Sequence, residues 1–387
     1  MTSPSAGNGV VDWPAAAQIA ARLAPPGPQA SRADLDALVA GLRTAAGDAV
    51  EHVLEVTSMV PVVADAGSGS PGASGTPALG RVVVVDRASW AKANTQVMAA
   101  MTEGLGDAVA AAVKAPVSAA GQLAGAAEVG AVLALLSGRV LGQFDPYSPA
   151  RPGSAAGSSA AGSAPAGPGR LLLVAPNVLQ AEQALGVPVH DFRLWVCLHE
   201  QTHALQFAAA PWLAGHLAGR TQTLVAGLTE TSAELARARL DRKIAMAGRA
   251  VLHVLRGEGG SLAESFLTPG QKEQLADISA VMALLEGHAD VMMDAVGSSV
   301  VPSVRRIRAR FERRRDGEGR PGADVVLRRV LGMDAKLAQY RDGARFVRSV
   351  ERRVGRDGLN AVWADAAHLP TAREIHDARA WVRRVHG

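Results

Sequence analysis

His199-Glu200-Gln201-Thr202-His203 is the run whose reading decides the rest of the chain. Two histidines four apart lie one above the other on a helix face, where both imidazoles reach one metal ion. The glutamate between them then falls beside the water that such an ion activates, where a general base is needed. A plainer use exists: two core histidines bonded to carbonyls, and a solvated glutamate. The flanking sequence decides between them. Asp191 offers an N-cap, the run from Phe192 to Phe207 contains no proline or glycine, and Pro211 closes it. Phe192, Trp195, Val196, His199, His203 and Gln206 recur at helical spacing on one face. The motif is continuous with an apolar stripe, so its histidines are expected to point inward.

A hydrolytic zinc site takes three protein ligands and keeps one position open. The preferred third ligand is Glu286, within Met282-Ala283-Leu284-Leu285-Glu286-Gly287-His288-Ala289-Asp290-Val291-Met292-Met293. That segment reads as a buried helix, so its ionisable residues need partners. Glu286 and Asp290 share a face, and Asp290 is expected to orient a ligating histidine from behind. His288 points roughly 200° away from Glu286 around the helix, so the two do not bind one ion. His288 and His216 stay open as alternative third ligands. Packing of His216 on Trp212 and pairing of Glu286 with an arginine are the structural alternatives. Asp294 is a further acid one turn beyond Asp290.

The two motifs together resemble thermolysin-like zincins, which join HExxH to a downstream glutamate with an aspartate four residues later. Here 82 residues separate His203 from Glu286, which implies inserted helices. The metzincin extension is absent, because Gln206 and Ala209 stand where it asks for glycine and histidine. A closer resemblance spans nearly the whole chain. Val11-Asp12-Trp13, Val84 to Asn94, Leu136 to Gln143, Asp191 to Phe207 with Pro211-Trp212-Leu213, and Glu286 to Gly297 with Val301-Pro302-Ser303 are similar to the type 2 zincin-like metallopeptidase family. Members are labelled hydrolases or deazaflavin-coenzyme-biosynthesis-associated proteins. The resemblance implies a zinc site and a zincin-like helical fold; it implies no particular substrate.

With 387 residues the chain can bury one large core or two ordinary ones. The single cysteine, Cys197, excludes an internal disulfide framework and reads as a small buried residue. The first eleven residues lack the basic start and apolar centre of a signal peptide. Ala115 to Leu136 is interrupted by Glu128 and too weakly hydrophobic to span a bilayer. A cytoplasmic protein without a membrane partner is therefore expected. The net charge is only +4, its excess gathered at Arg305 to Arg315. No stacking aromatics interleave with that run and Asp316 and Glu318 follow it, so a solvated helix face is expected rather than nucleic-acid binding.

Helices are expected over 13–23, 33–60, from 87 through Met101, over 123–144 with a break at the glycines, and over 221–256, 269–296 and 326–355. Short strands are expected at Arg81 to Asp86 and Leu171 to Val174, perhaps side by side. Gly67 to Thr76 and Asp316 to Gly322 read as loops, and the low-complexity 148–169 stretch as a flexible insert. This gives a mainly α protein with a small β-sheet (α+β), one unit over 10–387. Its N-terminal part is 10–147 and its metal-site part 170–387.

The leading expectation is hydrolysis of a peptide or protein substrate with Zn²⁺ held by His199, His203 and Glu286 and Glu200 as base. For the oxyanion donor, His216, His288, Tyr340 and several arginines remain equivalent. The competing reading is a non-catalytic zinc-stabilised scaffold whose fourth position is closed. A role beside deazaflavin-coenzyme enzymes follows only from the family label, since no Gly-rich phosphate loop sits between a strand and a helix.

Overall fold

The structure is a computed structural model that describes residues 10–62, 79–102, 118–148, 169–237, 267–315 and 333–387. The expected loops at Gly67 to Thr76 and Asp316 to Gly322, nearly all of the 148–169 insert, residues 238–256 of the expected 221–256 helix and residues 326–332 of the expected 326–355 helix lie outside the described residues. The first helices are α1 (Trp13–Leu23) and α2 (Arg32–Thr57). The Asp12 carboxylate caps α1 by accepting from the Ala15 amide at 2.9 Å, and Ser31 caps α2 through the Asp34 amide at 3.1 Å. Strand β1 (Arg81–Val85) runs into α3 (Arg87–Met101), which Asp86 caps through Ser89. Then come α4 (Ala119–Ser137), β2 (Gly142–Asp145) and β3 (Arg170–Val174).

The three strands form one sheet in the order β1-β3-β2. β1 pairs in parallel with β3, with Val82 opposite Leu171, as the two short apolar runs suggest. β2 pairs antiparallel to β3, with Phe144 opposite Leu171. The region expected to continue helically to Phe144 therefore splits. Its helix stops at Ser137 with Gly138 as cap, and the chain re-enters as an edge strand. Leu171 to Val174, flanked on both sides, are at most 1% exposed, which explains their unbroken apolar run.

The second half carries α5 (Ala175–Leu185), the motif helix α6 (Val189–Ala209), α7 (Trp212–Arg237), α8 (Pro269–Ala295), the one-turn α9 (Gly297–Val300), α10 (Val304–Arg315), α11 (Met333–Asn360) and α12 (Ala378–His386). The motif helix begins two residues earlier than its expected cap. Pro188 precedes it, and Asp191 lies in the first turn, where its carboxylate complements the helix dipole and accepts from the Ser303 amide at 2.8 Å. Thr268 and Gln271 form a reciprocal capping box at the start of α8.

α6 is the central beam. Phe192, Leu198, Ala204 and Leu205 are fully buried. Gln201 donates to the Ala46 carbonyl of α2 at 2.7 Å, so one side of the beam is fastened to the N-terminal half. The contiguous apolar core runs from Leu38 to Trp381. Opposite α2 lies α8, which in turn crosses α11 at two glycines. A Cβ on Gly343 would stand 1.8 Å from the Ala283 carbonyl oxygen, and one on Gly287 would stand 2.2 Å from the Gly343 carbonyl carbon. Only glycine permits backbones this close.

Two surface expectations change. α4 is long and apolar enough to cross a membrane, but packs on α1, where Ile19 fills the space beside Gly130. The basic run in α10 is not a merely solvated face. Arg306 and Arg310 donate to the Gly186 carbonyl at 3.0 and 2.8 Å, and Arg310 also to that of Leu185, closing the C-terminal end of α5. Arg308 turns inward, with Asp290 at 2.5 Å, Asp294 at 2.7 Å and the Trp195 ring 5.6 Å away.

Candidate metal centre

His199 and His203 lie one turn apart on α6 and face Glu286 on α8. His203 Nε2 is 3.2 Å from His199 Nε2, and Glu286 Oε2 is 3.4 Å from the first imidazole and 3.7 Å from the second. Zinc with arms of about 2.1 Å in tetrahedral geometry needs donors about 3.4 Å apart. The three separations bracket that value, and two imidazoles with one carboxylate form a zinc-type donor set. The residues fit the ion.

Electrostatics tie the trio together even without a cation. Burial alone would lower the His203 pKa, but the adjoining Glu286 carboxylate overrides it and pushes the group up to about 9. Burial would raise Glu286, yet His203 and the hydrogen bonds from both imidazoles hold it well below the ordinary carboxylate range. A cation must therefore displace a proton from His203. Apparent zinc affinity is expected to rise about tenfold per pH unit from neutrality and to level off near pH 9. Competition against a chromophoric chelator across that range checks this; a flat profile would exclude the protonated His203. In the metal-free protein the same group, raised from its unfolded value, contributes stability below pH 6.5 that is lost as pH climbs through about 9.

Glu200, on the same helix, is 6% exposed, and burial raises its pKa despite the two neighbouring histidines. Its carboxyl lies against β2: a Cβ on Gly142 would be 2.7 Å from the Glu200 Cδ. The motif face opens into a cleft of about 790 Å³ that holds His199, Glu200, His203 and Glu286. Phe144, Phe207 and Met282 contribute to its apolar walls. Tyr147 also lines it; burial and nearby Asp145 push its phenol up to about 12, so it stays protonated.

The structure brings together His199, His203, Glu286 and Glu200 and separates the rest. His288 is wholly buried, with its Nδ1 3.0 Å from the Gln206 amide nitrogen and its ring against Trp363. Burial drives its pKa down to about 3, so it is neutral. His216 packs edge-on against Trp212 with ring centroids 6.0 Å apart. Asp290 does not orient a histidine; the Arg308 guanidinium, inserted from α10, takes its carboxylate. The histidine-orienting contact comes from Gln206, whose Oε1 is 2.9 Å from His203 Nδ1. Gln206 stood on the motif face in sequence but carried no assigned role. Tyr147 was missed, because nothing local marks a tyrosine beyond a strand end as a cleft residue. The Tyr340 side chain lies outside the described residues.

The chain belongs to the zincin-like metallopeptidase family, whose sequence profile matches residues 11–382. Among solved structures it is similar to a protein from Chloroflexus aurantiacus described as a "putative hydrolase with a novel fold", at 26% identity and a TM-score of 0.58. The match covers 97% of this chain and 98% of the other. No curated protein matches the chain.

Proposed function

We propose that the protein is a zinc-dependent peptidase in which the whole of 10–387 acts as one unit. The observation that carries this reading is the tetrahedral spacing of His199, His203 and Glu286 beside a buried glutamate in an open cleft. Zinc, when bound, supplies Lewis acidity that acidifies water and polarises a carbonyl. His199, His203 and Glu286 hold it. Glu200 takes the proton of the attacking water and returns it to the leaving amine, a role its raised pKa suits. Tyr147, kept protonated, offers a hydroxyl to the developing oxyanion. β2 has no strand on its outer edge among the described residues and touches Glu200, so an extended peptide backbone can align there.

The test is zinc content by mass spectrometry together with cleavage of a peptide library. Near one zinc per chain and cleavage that a chelator stops and zinc restores are the expected results. Stoichiometric zinc with no cleavage across the library would favour the scaffold reading.

A further inference from the structure

We propose that Gln206 and His288 form a positioning relay that locks His203 in the tautomer carrying its proton on Nδ1, leaving the Nε2 lone pair for the metal. The inference rests on the zinc reading of the site for its consequence, though not for its geometry.

The direction of every bond follows from one fixed group. The Gln206 side-chain nitrogen lies 3.0 Å from the Leu285 carbonyl oxygen, which only accepts. That atom must therefore be the amide NH₂, and the other end of the side chain, facing His203 Nδ1 at 2.9 Å, must be the carbonyl. A carbonyl only accepts, so His203 Nδ1 carries the proton. The second amide hydrogen goes to His288 Nδ1 at 3.0 Å, which must accept. His288 then bears its proton on Nε2, where no hydrogen-bond acceptor lies within reach among the described residues. Its ring sits edge-to-face with Trp363, centroids 5.2 Å apart and planes at 72°. Flipping the amide would set carbonyl against carbonyl at Leu285, so a single arrangement satisfies all three contacts.

Placement adds a second consequence. Gln206 is one turn beyond His203 on α6, and Leu285 and His288 flank Glu286 on α8. A single fully buried amide thus sets the ring orientation of one ligand and the spacing between the two helices that supply all three. Hydrogen bonds that orient ligands commonly govern metal affinity by about 10- to 100-fold.

The test compares wild type, Gln206→Leu and His288→Phe. Zinc affinity, measured by chelator competition, is expected to fall about 10- to 100-fold in Gln206→Leu and less in His288→Phe, which keeps the ring against Trp363. An affinity of folded Gln206→Leu within about twofold of wild type would overturn the proposal. If that variant does not fold, long-range ¹H–¹⁵N spectra of wild-type imidazoles decide. His203 must show Nδ1–H and His288 Nε2–H, both zinc-loaded and metal-free at alkaline pH; a His203 with its proton on Nε2, or metal on Nδ1, overturns it. A wild type that takes up no zinc yet shows both tautomers upholds the relay and sinks the zinc reading alone.

Discussion

Glu200→Gln should lower turnover by about a thousandfold while leaving the zinc content unchanged. The reasoning separates two jobs on one helix turn. Glu200 is not among the three converging donors, so losing its charge should not release the ion. Glutamine keeps the volume that fits against Gly142, so neither helix nor strand need move. Only the proton-accepting carboxylate disappears. Activity and zinc content of the purified variant check this together; turnover near wild type with zinc in place would remove Glu200 from proton transfer. In the wild type, burial raises the Glu200 pKa, so activity should fall on acidification from a pH above the ordinary carboxylate value.

Gly343→Ala carries the second large effect, and it arises on a helix that contributes no ligand. The new methyl would meet the Ala283 carbonyl oxygen at 1.8 Å, and backbone cannot swing aside as a side-chain tip can. α8 must shift, and Glu286 lies between Ala283 and Gly287, the two residues at the crossing. Overpacking of this kind costs about 3 kcal/mol or more. We expect a fall in Tm of about 5 °C or more, with weakened zinc binding. Gly219→Ala is the control, because nothing lies within 4 Å of a Cβ there. It should leave both properties unchanged, and a Gly343→Ala protein that matched it would refute the close crossing as a determinant of the site.

How much of this was legible in the sequence depended on the range of the interaction involved. The four-residue spacing of His199 and His203 is a local helical property and needs no tertiary information. The apolar runs at Val82 and Leu171 likewise announced strands, and their parallel pairing followed. Glu286 stood out as a carboxylate on a helix too apolar to leave it solvated, and the fold brings it to the imidazoles. The misreadings share the opposite character. Asp290 looked like a partner for a ligand because nothing local shows Arg308 arriving from another helix. The role of Gln206 depends on a carbonyl 79 residues away. β2 was read as helix because alanine and leucine carry the pattern up to Ser137, and an edge strand of four residues leaves little periodicity to find. Pro188 displaced Asp191 from its expected cap by starting the helix sooner.

The crossing at Gly343 also bears on the order in which the protein is made. A ribosome releases the paired imidazoles long before Glu286, and the glycine against which the Glu286 helix rests comes later still. Trp363, which buttresses His288 and accepts from the Trp212 indole at 3.1 Å, follows after that. A nascent chain consequently offers two nitrogen donors without their carboxylate companion for much of its synthesis. The finished coordination geometry belongs to the released polypeptide, so cation loading is a maturation event that follows translation.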